Sequence, residues 1–202
     1  EGKTLRIDAG VVVKFKTGDN TYYKDKNFNV GFLYVKGTLQ AMGKNQEKIR
    51  IKGTTEDEYW GMIYFDSSSD KNILFNCIIE KGNGISGICE YGGSGMVTLY
   101  KSNLKIENSI LRYSPNYGFS SFHSHFQMEK SIFFSNYWHA YIFSSDSDLS
   151  INSCVFTESF SDGIFFQDKK TLIVKNSIFS ANGSDLSFYP RKENGIVKAK
   201  IS

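Results

Sequence analysis

The chain has 202 residues, 40% of them hydrophobic and 15% aromatic, which is enough apolar surface for a buried core and too much for a disordered polymer. Its 24 basic and 21 acidic residues are interspersed and leave a formal net charge of +3, so no field strong enough to hold nucleic acid or an anionic membrane surface is expected. No apolar run reaches the roughly 18 to 20 residues that a membrane-spanning helix needs.

The first residue is Glu1, with neither Met nor a signal-like apolar segment ahead of it, and the sequence reads as mature or trimmed. Abundant Ser, Asn, Phe and Tyr, with only two prolines, favour strands and turns over helices. Short apolar alternations at Leu5 and Ile7, then Val11, Val13 and Phe15, Leu33 and Val35, Leu39 and Ala41, and Ile49 and Ile51 predict strands. Residues 16–31, 54–59 and Gly82–Gly95 read as surface excursions between them.

Further along the chain one unit recurs: Leu74-Phe-Asn-Cys-Ile-Ile79, Ile106-Glu-Asn-Ser-Ile-Leu111, Met128-Glu-Lys-Ser-Ile-Phe133, Ile151-Asn-Ser-Cys-Val-Phe156 and Val174-Lys-Asn-Ser-Ile-Phe179. Its heads, Cys77, Ser109, Ser131, Cys154 and Ser177, are separated by 32, 22, 23 and 23 residues. Such a period predicts a solenoid, and a unit of this length has no room for a helical crossover. Nine residues after the last four heads, Gly118, Ala140, Gly163 and Leu186 open another apolar segment, so each coil holds three short strands. The expectation is a single all-β domain over 1–202 of seven or eight coils, longer and loop-bearing in 1–100 and regular, at 22–24 residues, in 101–202. Strand parity sends Leu111, Phe133, Phe156 and Phe179 inward. The same parity places Ile78, Ile110, Ile132, Val155 and Ile178 on an outward apolar column.

The segments Leu5-Arg-Ile-Asp-Ala-Gly10, Val35-Lys-Gly-Thr-Leu-Gln-Ala41, Trp60-Gly-Met-Ile-Tyr-Phe65 and the Asn108-Ser-Ile motif resemble the pectate-lyase-like right-handed parallel β-helix superfamily, in particular its bacterial surface and secreted members. The resemblance spans nearly the whole chain and implies a right-handed parallel β-helix with an asparagine stack at one corner, here Asn76, Asn108 and Asn176, interrupted by Lys130 and Ser153.

Eight residues after the heads come Tyr117, His139, Asp162 and Asp185, which the period places one above another at a corner. There His139 beside Asp162 has the makings of an oriented acid or base, and Tyr113, Tyr117, Tyr137 and Trp138 those of a stacking surface for sugar rings. The alternative is a solvated polar corner. Asp162 and Asp185 on adjacent coils match the spacing of roughly 5 to 9.5 Å between a glycosidase's carboxylates. Glu80 and Arg112, each three residues past a head, are expected side by side. In polysaccharide lyases of the superfamily a basic residue removes the proton α to a uronate carboxylate while Ca²⁺ neutralises the charge; for this chain the simpler reading is a surface ion pair.

Acidic corners at Asp66, Asp70, Asp146, Asp148 and Asp168 supply one or two carboxylates per coil, short of the six to eight oxygens calcium takes. His123 and His125 alternate and lack a third ligand nearby, so no metal site is expected. Cys77 and Cys154, three coils or roughly 14 Å apart, lie beyond disulfide reach, and Cys89 falls in the Gly-rich excursion. A long flat repeating face suits an extended polymer, so the expected function is a non-catalytic extracellular or cell-surface module that binds polysaccharide or a surface protein. The alternatives are a polysaccharide lyase or glycoside hydrolase using Arg112 or His139 as base with Glu80, Glu158 or Asp162 assisting, and a structural spacer or adhesin segment that self-associates through terminal coils or the isoleucine column.

Overall fold

The computed structural model describes residues 2–18, 30–85, 87–88, 94–143, 149–167, 171–188 and, for the backbone, 199–201. Twenty-two strands and no helix occur among them, so none of these residues forms a helix able to cross a membrane. Every third strand belongs to the same sheet, and all three sheets, of eight, seven and seven strands, are parallel. One turn of the solenoid is seen in Asn103–Glu107, Ile110–Arg112 and Tyr117–Phe122, which lie in the first, second and third sheet. This is the parallel β-helix that the period predicts.

The stacking of the columns follows the sequence reading at the first corner. Ile78, Ile110, Ile132, Val155 and Ile178 are successive Cα partners in the second sheet. Inward of them, Leu111, Phe133 and Phe156 are fully buried, and Phe133, Phe156 and Phe179 stack at 4.8 and 5.0 Å. The outward column is graded: Ile78 is covered, Ile132 is partly open, and Ile178 is 60% exposed.

From Ser67 onward the described corners are sharp because one residue at each adopts a left-handed backbone. At the first corner these are Asn76, Asn108, Lys130, Ser153 and Asn176, all with φ between 48 and 55°. The asparagine stack is therefore a conformational column: Asn tolerates this region best, and Lys130 and Ser153 break the residue series without breaking the bend. Lys81, Tyr113, Ser135, Glu158 and Ala181 bend the second corner, and Ser67, Lys101 and His123 the third.

The next residue at each bend points inward and holds the coils together. The Cys77 amide donates to Ser109 Oγ at 3.0 Å, the Ser109 amide to Ser131 Oγ at 3.2 Å and the Cys154 amide to Ser177 Oγ at 3.1 Å. Each Oγ in turn donates to the carbonyl two residues earlier, Glu107, Glu129 or Lys175. Cysteine serves at two rungs, where burial pushes the Cys77 thiol up to about 12 and the Cys154 thiol up to about 11. Both are inert protonated thiols, three coil steps apart.

Candidate functional site

The second corner and the adjoining third sheet carry a belt of aromatic side chains. Tyr137 stacks on Phe160 at 4.8 Å and meets Trp138 edge-on at 4.2 Å. Trp138 stacks on Tyr117 at 4.8 Å, Tyr117 leans on Tyr141 at 5.0 Å, and Tyr141 stacks on Phe165 at 5.0 Å. The belt follows the pairing of the coils, since Tyr117 and Trp138 are Cα partners, as are Tyr141 and Phe165. Phe160 stands 75% exposed at its open end.

Beside it runs a groove of about 350 Å³ lined by Tyr59, Tyr113, Tyr137 and Phe160 with Ser135 and Glu158. The left-handed bends at Tyr113, Ser135 and Glu158 turn these three side chains out of the corner on successive coils. Ser135 Oγ donates to Glu158 at 2.9 Å, fixing the carboxylate at the groove wall. Tyr113 is held by the Arg112 guanidinium 5.0 Å from its ring centre and by the edge of Phe134 at 5.6 Å.

The structure brings together Tyr117, Tyr137 and Trp138, with Tyr113 across the groove, and it separates His139 from them. His139 is fully buried, its ring lying 6.2 Å from Phe133 and 6.1 Å from Phe156. The reason is register: Tyr117 pairs with Trp138, because the chain from Ser131 to the third sheet is one residue shorter than the chain from Ser109. His139 falls level with Gly118, at the strand start that the pairing skips between Tyr117–Trp138 and Phe119–Ala140, and there it is turned inward. His139 is therefore a core residue and takes no place in the outward column.

Its protonation is set by neighbours. Asn136 Oδ1 accepts the Ser114 amide at 2.9 Å and Nδ2 donates to the Leu111 carbonyl at 3.0 Å, which leaves the second Nδ2 hydrogen for His139 Nδ1 at 3.1 Å. Nδ1 thus accepts and the proton sits on Nε2, a buried atom that makes no close hydrogen bond and has only the Thr157 backbone and Asn182 side chain as weak polar neighbours. Burial drives the imidazole pKa down to about 4, only partly offset by the Thr157 backbone and the Asn182 side chain.

Asp162 and Asp185 also fall out of register, since Asp162 pairs with Ser184. Asp162 accepts a hydrogen bond from Ser187, and Asp185 accepts one from Asn182 at 3.1 Å. Glu80 and Arg112 are Cα partners as expected, with Arg112 Nε and Nη2 both on Glu80 Oε2 at 2.9 and 2.6 Å. Only 10% of the Glu80 side chain is exposed, so the pair is mostly buried where a surface pair was expected. Removing one partner would strand a charge, and the pair reads as a structural staple between coils.

His123 sits in the bend of the third corner and His125 opens the strand Asn103's partner occupies, so the two do not share one strand face as their alternation suggested. Among the described residues no three His, Cys, Asp or Glu side chains gather in a way that would hold a metal ion. Asp66 is engaged by Tyr34 and faces Lys36 at 3.8 Å, whereas Asp146, Asp148, Asp168 and Cys89 lie outside the described residues. Sequence reasoning missed Phe160, Tyr141 and Phe165. The signal was present in the alternation of the third-sheet strands, where Tyr141 and Phe165 hold outward positions.

The chain matches the family described as a right-handed beta helix region over residues 41–199, well over half its length, and it belongs to that family. No curated protein and no solved structure matches it.

Proposed function

We propose that this β-helix is a non-catalytic module that acts outside the cell or at its surface and binds an extended polysaccharide along the second corner. The observation that carries the reading is the groove between Tyr113 and the Tyr137–Phe160 stack, open on one side and walled by the Glu158 carboxylate. Aromatic faces supply apolar contact for the C–H surface of sugar rings, and Ser135, Glu158 and the tyrosine hydroxyls supply polar contacts for sugar hydroxyls. Successive coils lie about 4.8 Å apart, close to the length of one pyranose unit, so side chains on neighbouring coils meet neighbouring units of a chain. The extracellular placement follows from the ligand class.

The test is affinity electrophoresis and calorimetry with a panel of neutral and acidic polysaccharides. Phe160→Ala combined with Tyr137→Ala should weaken binding about tenfold or more while the melting transition persists. Equal affinity of variant and parent, or no binding to any member of the panel, would remove the groove as the site. The same polysaccharides, assayed for release of unsaturated or reducing ends, address the lyase and hydrolase alternatives. Turnover abolished by Arg112→Gln while its melting transition persists would replace binding with catalysis.

A further inference from the structure

On the outer face of the third sheet, away from this groove, lies a second and smaller pocket. It encloses about 230 Å³ between Tyr34, Tyr64, Tyr100, Asp66 and Ile88. The residues come from three successive coils: Tyr34 and Tyr64 are Cα partners, and so are Asp66 and Tyr100. Tyr34 and Tyr64 approach with ring centres 5.5 Å apart and planes tilted by 40°, which makes a corner rather than a flat stack. Tyr64 is nearly buried and packs in a cluster with Met62 and Ile85, which gives the pocket a rigid floor. Tyr34 donates its hydroxyl proton to Asp66, so the carboxylate is fixed at the wall beside the rings.

Several aromatic faces around one carboxylate attract a cation, because each ring carries negative potential on its face and the carboxylate adds a full charge. The protein's own ammonium groups already show this preference at the rim. Lys101 Nζ lies 5.0 Å from the Tyr100 ring centre, and Lys36 Nζ lies 5.6 Å from that of Tyr34 and 3.8 Å from Asp66. Both lysines stay in water: the Lys36 side chain is 63% exposed and Lys101 is exposed. A primary ammonium is strongly hydrated and resists entry into an apolar corner. A quaternary ammonium, with no N–H to hydrate, does not.

We propose that this pocket binds a quaternary ammonium group. Tyr34, Tyr64 and Tyr100 form the aromatic walls and Asp66 is the counter-charge; Lys36 and Lys101 are like-charged competitors at the rim. The assignment is independent of polysaccharide binding at the second corner.

Choline and its uncharged carbon isostere, 3,3-dimethylbutan-1-ol, separate a cation site from a merely apolar one when each is titrated into the intact protein and followed by NMR and calorimetry. Choline is expected to saturate with a dissociation constant in about the millimolar range, and the alcohol to bind at least about fivefold more weakly. Asp66→Asn and Tyr34→Leu should each weaken choline about fivefold or more, and Lys101→Ala, at an exposed position, should tighten it. Equal affinity for choline and the alcohol, no saturation by choline to about 10 mM, or weaker choline binding in Lys101→Ala overturns the proposal.

Discussion

The coils after residue 100 and those before it solve the same problem differently. From Ser109 onward the turns repeat almost without insertion, and each first corner is a left-handed residue followed by a small one, buried at Ser109, Ser131 and Cys154 and half-buried at Ser177. Before it, no non-glycine residue with positive φ is described earlier than Ser67. The early corners run through longer connections such as Gly43 to Ile49, tied by the Gly43 amide to the Phe75 carbonyl at 2.8 Å. The excursions there are put to use. Residues in or beside them, Val30, Phe32, Ile85 and Ile88, pack with Met62 and Tyr64 on the outside of the third sheet and make a second apolar cluster. The regular half thus draws its stability from one interior, whereas the early half adds a cover over its outer face.

That contrast can be broken most severely from inside the regular half. Phe156 is fully buried between Phe133 and Phe179, so Phe156→Ala should cost about 3 to 5 kcal/mol in urea unfolding, with hydrogen exchange rising first in coils after residue 100. If exchange rises equally near Met62 and Tyr64, the two halves are a single cooperative unit and the contrast is one of shape alone.

Acid sharpens it next, because all three histidines follow residue 120 and one of them, His139, is buried neutral. Its pKa of about 4 in the fold lies below the ordinary 6.5, so the unfolded chain binds the extra proton between these values. Its contribution is complete above about pH 6.5 and is lost as the pH falls towards 4, a decline of about 3 kcal/mol. His139→Leu should flatten that part of the stability profile in thermal melts at stepped pH; an unchanged slope assigns the acid sensitivity to other groups.

The smallest effect separates shape from chemistry in the ladder. Ser131→Ala leaves the Ser109 amide without its acceptor and the cost should be about 1 to 3 kcal/mol, while Ser131→Cys, which copies Cys154, should cost less. Equal losses in the two variants would mean that packing volume at this rung, and not the hydrogen bond, sets the stability.

What could be read from the sequence follows the same divide. The period places Ser131, Phe133 and Ile132 correctly because each first corner has one length, and it places Glu80 against Arg112 in spite of the long coil between them. It fails at His139 because the second corner varies by a residue from coil to coil, and a ladder of identical offsets carries no record of that variation. Parity alone also predicts exposure for every outward residue. Thr98 and Ser120 are outward in the third sheet and still fully buried, since burial there depends on packing from outside the local strand pattern. The aromatic belt lay half visible: Tyr137, Trp138 and Tyr117 cluster in the sequence reading, but the stacking of Phe160 on Tyr137 joins two coils whose connection has no fixed length.

The inter-coil hydrogen bonds of all three sheets run along the solenoid axis, and that geometry has a mechanical side. Tension between the two ends loads these ladders together only where neighbouring coils separate as rigid plates. A pull on one strand end instead peels a single coil, three short strands at a time, against a few bonds in sequence. The Arg112–Glu80 and Ser109–Ser131 cross-links tie adjacent turns together along that axis.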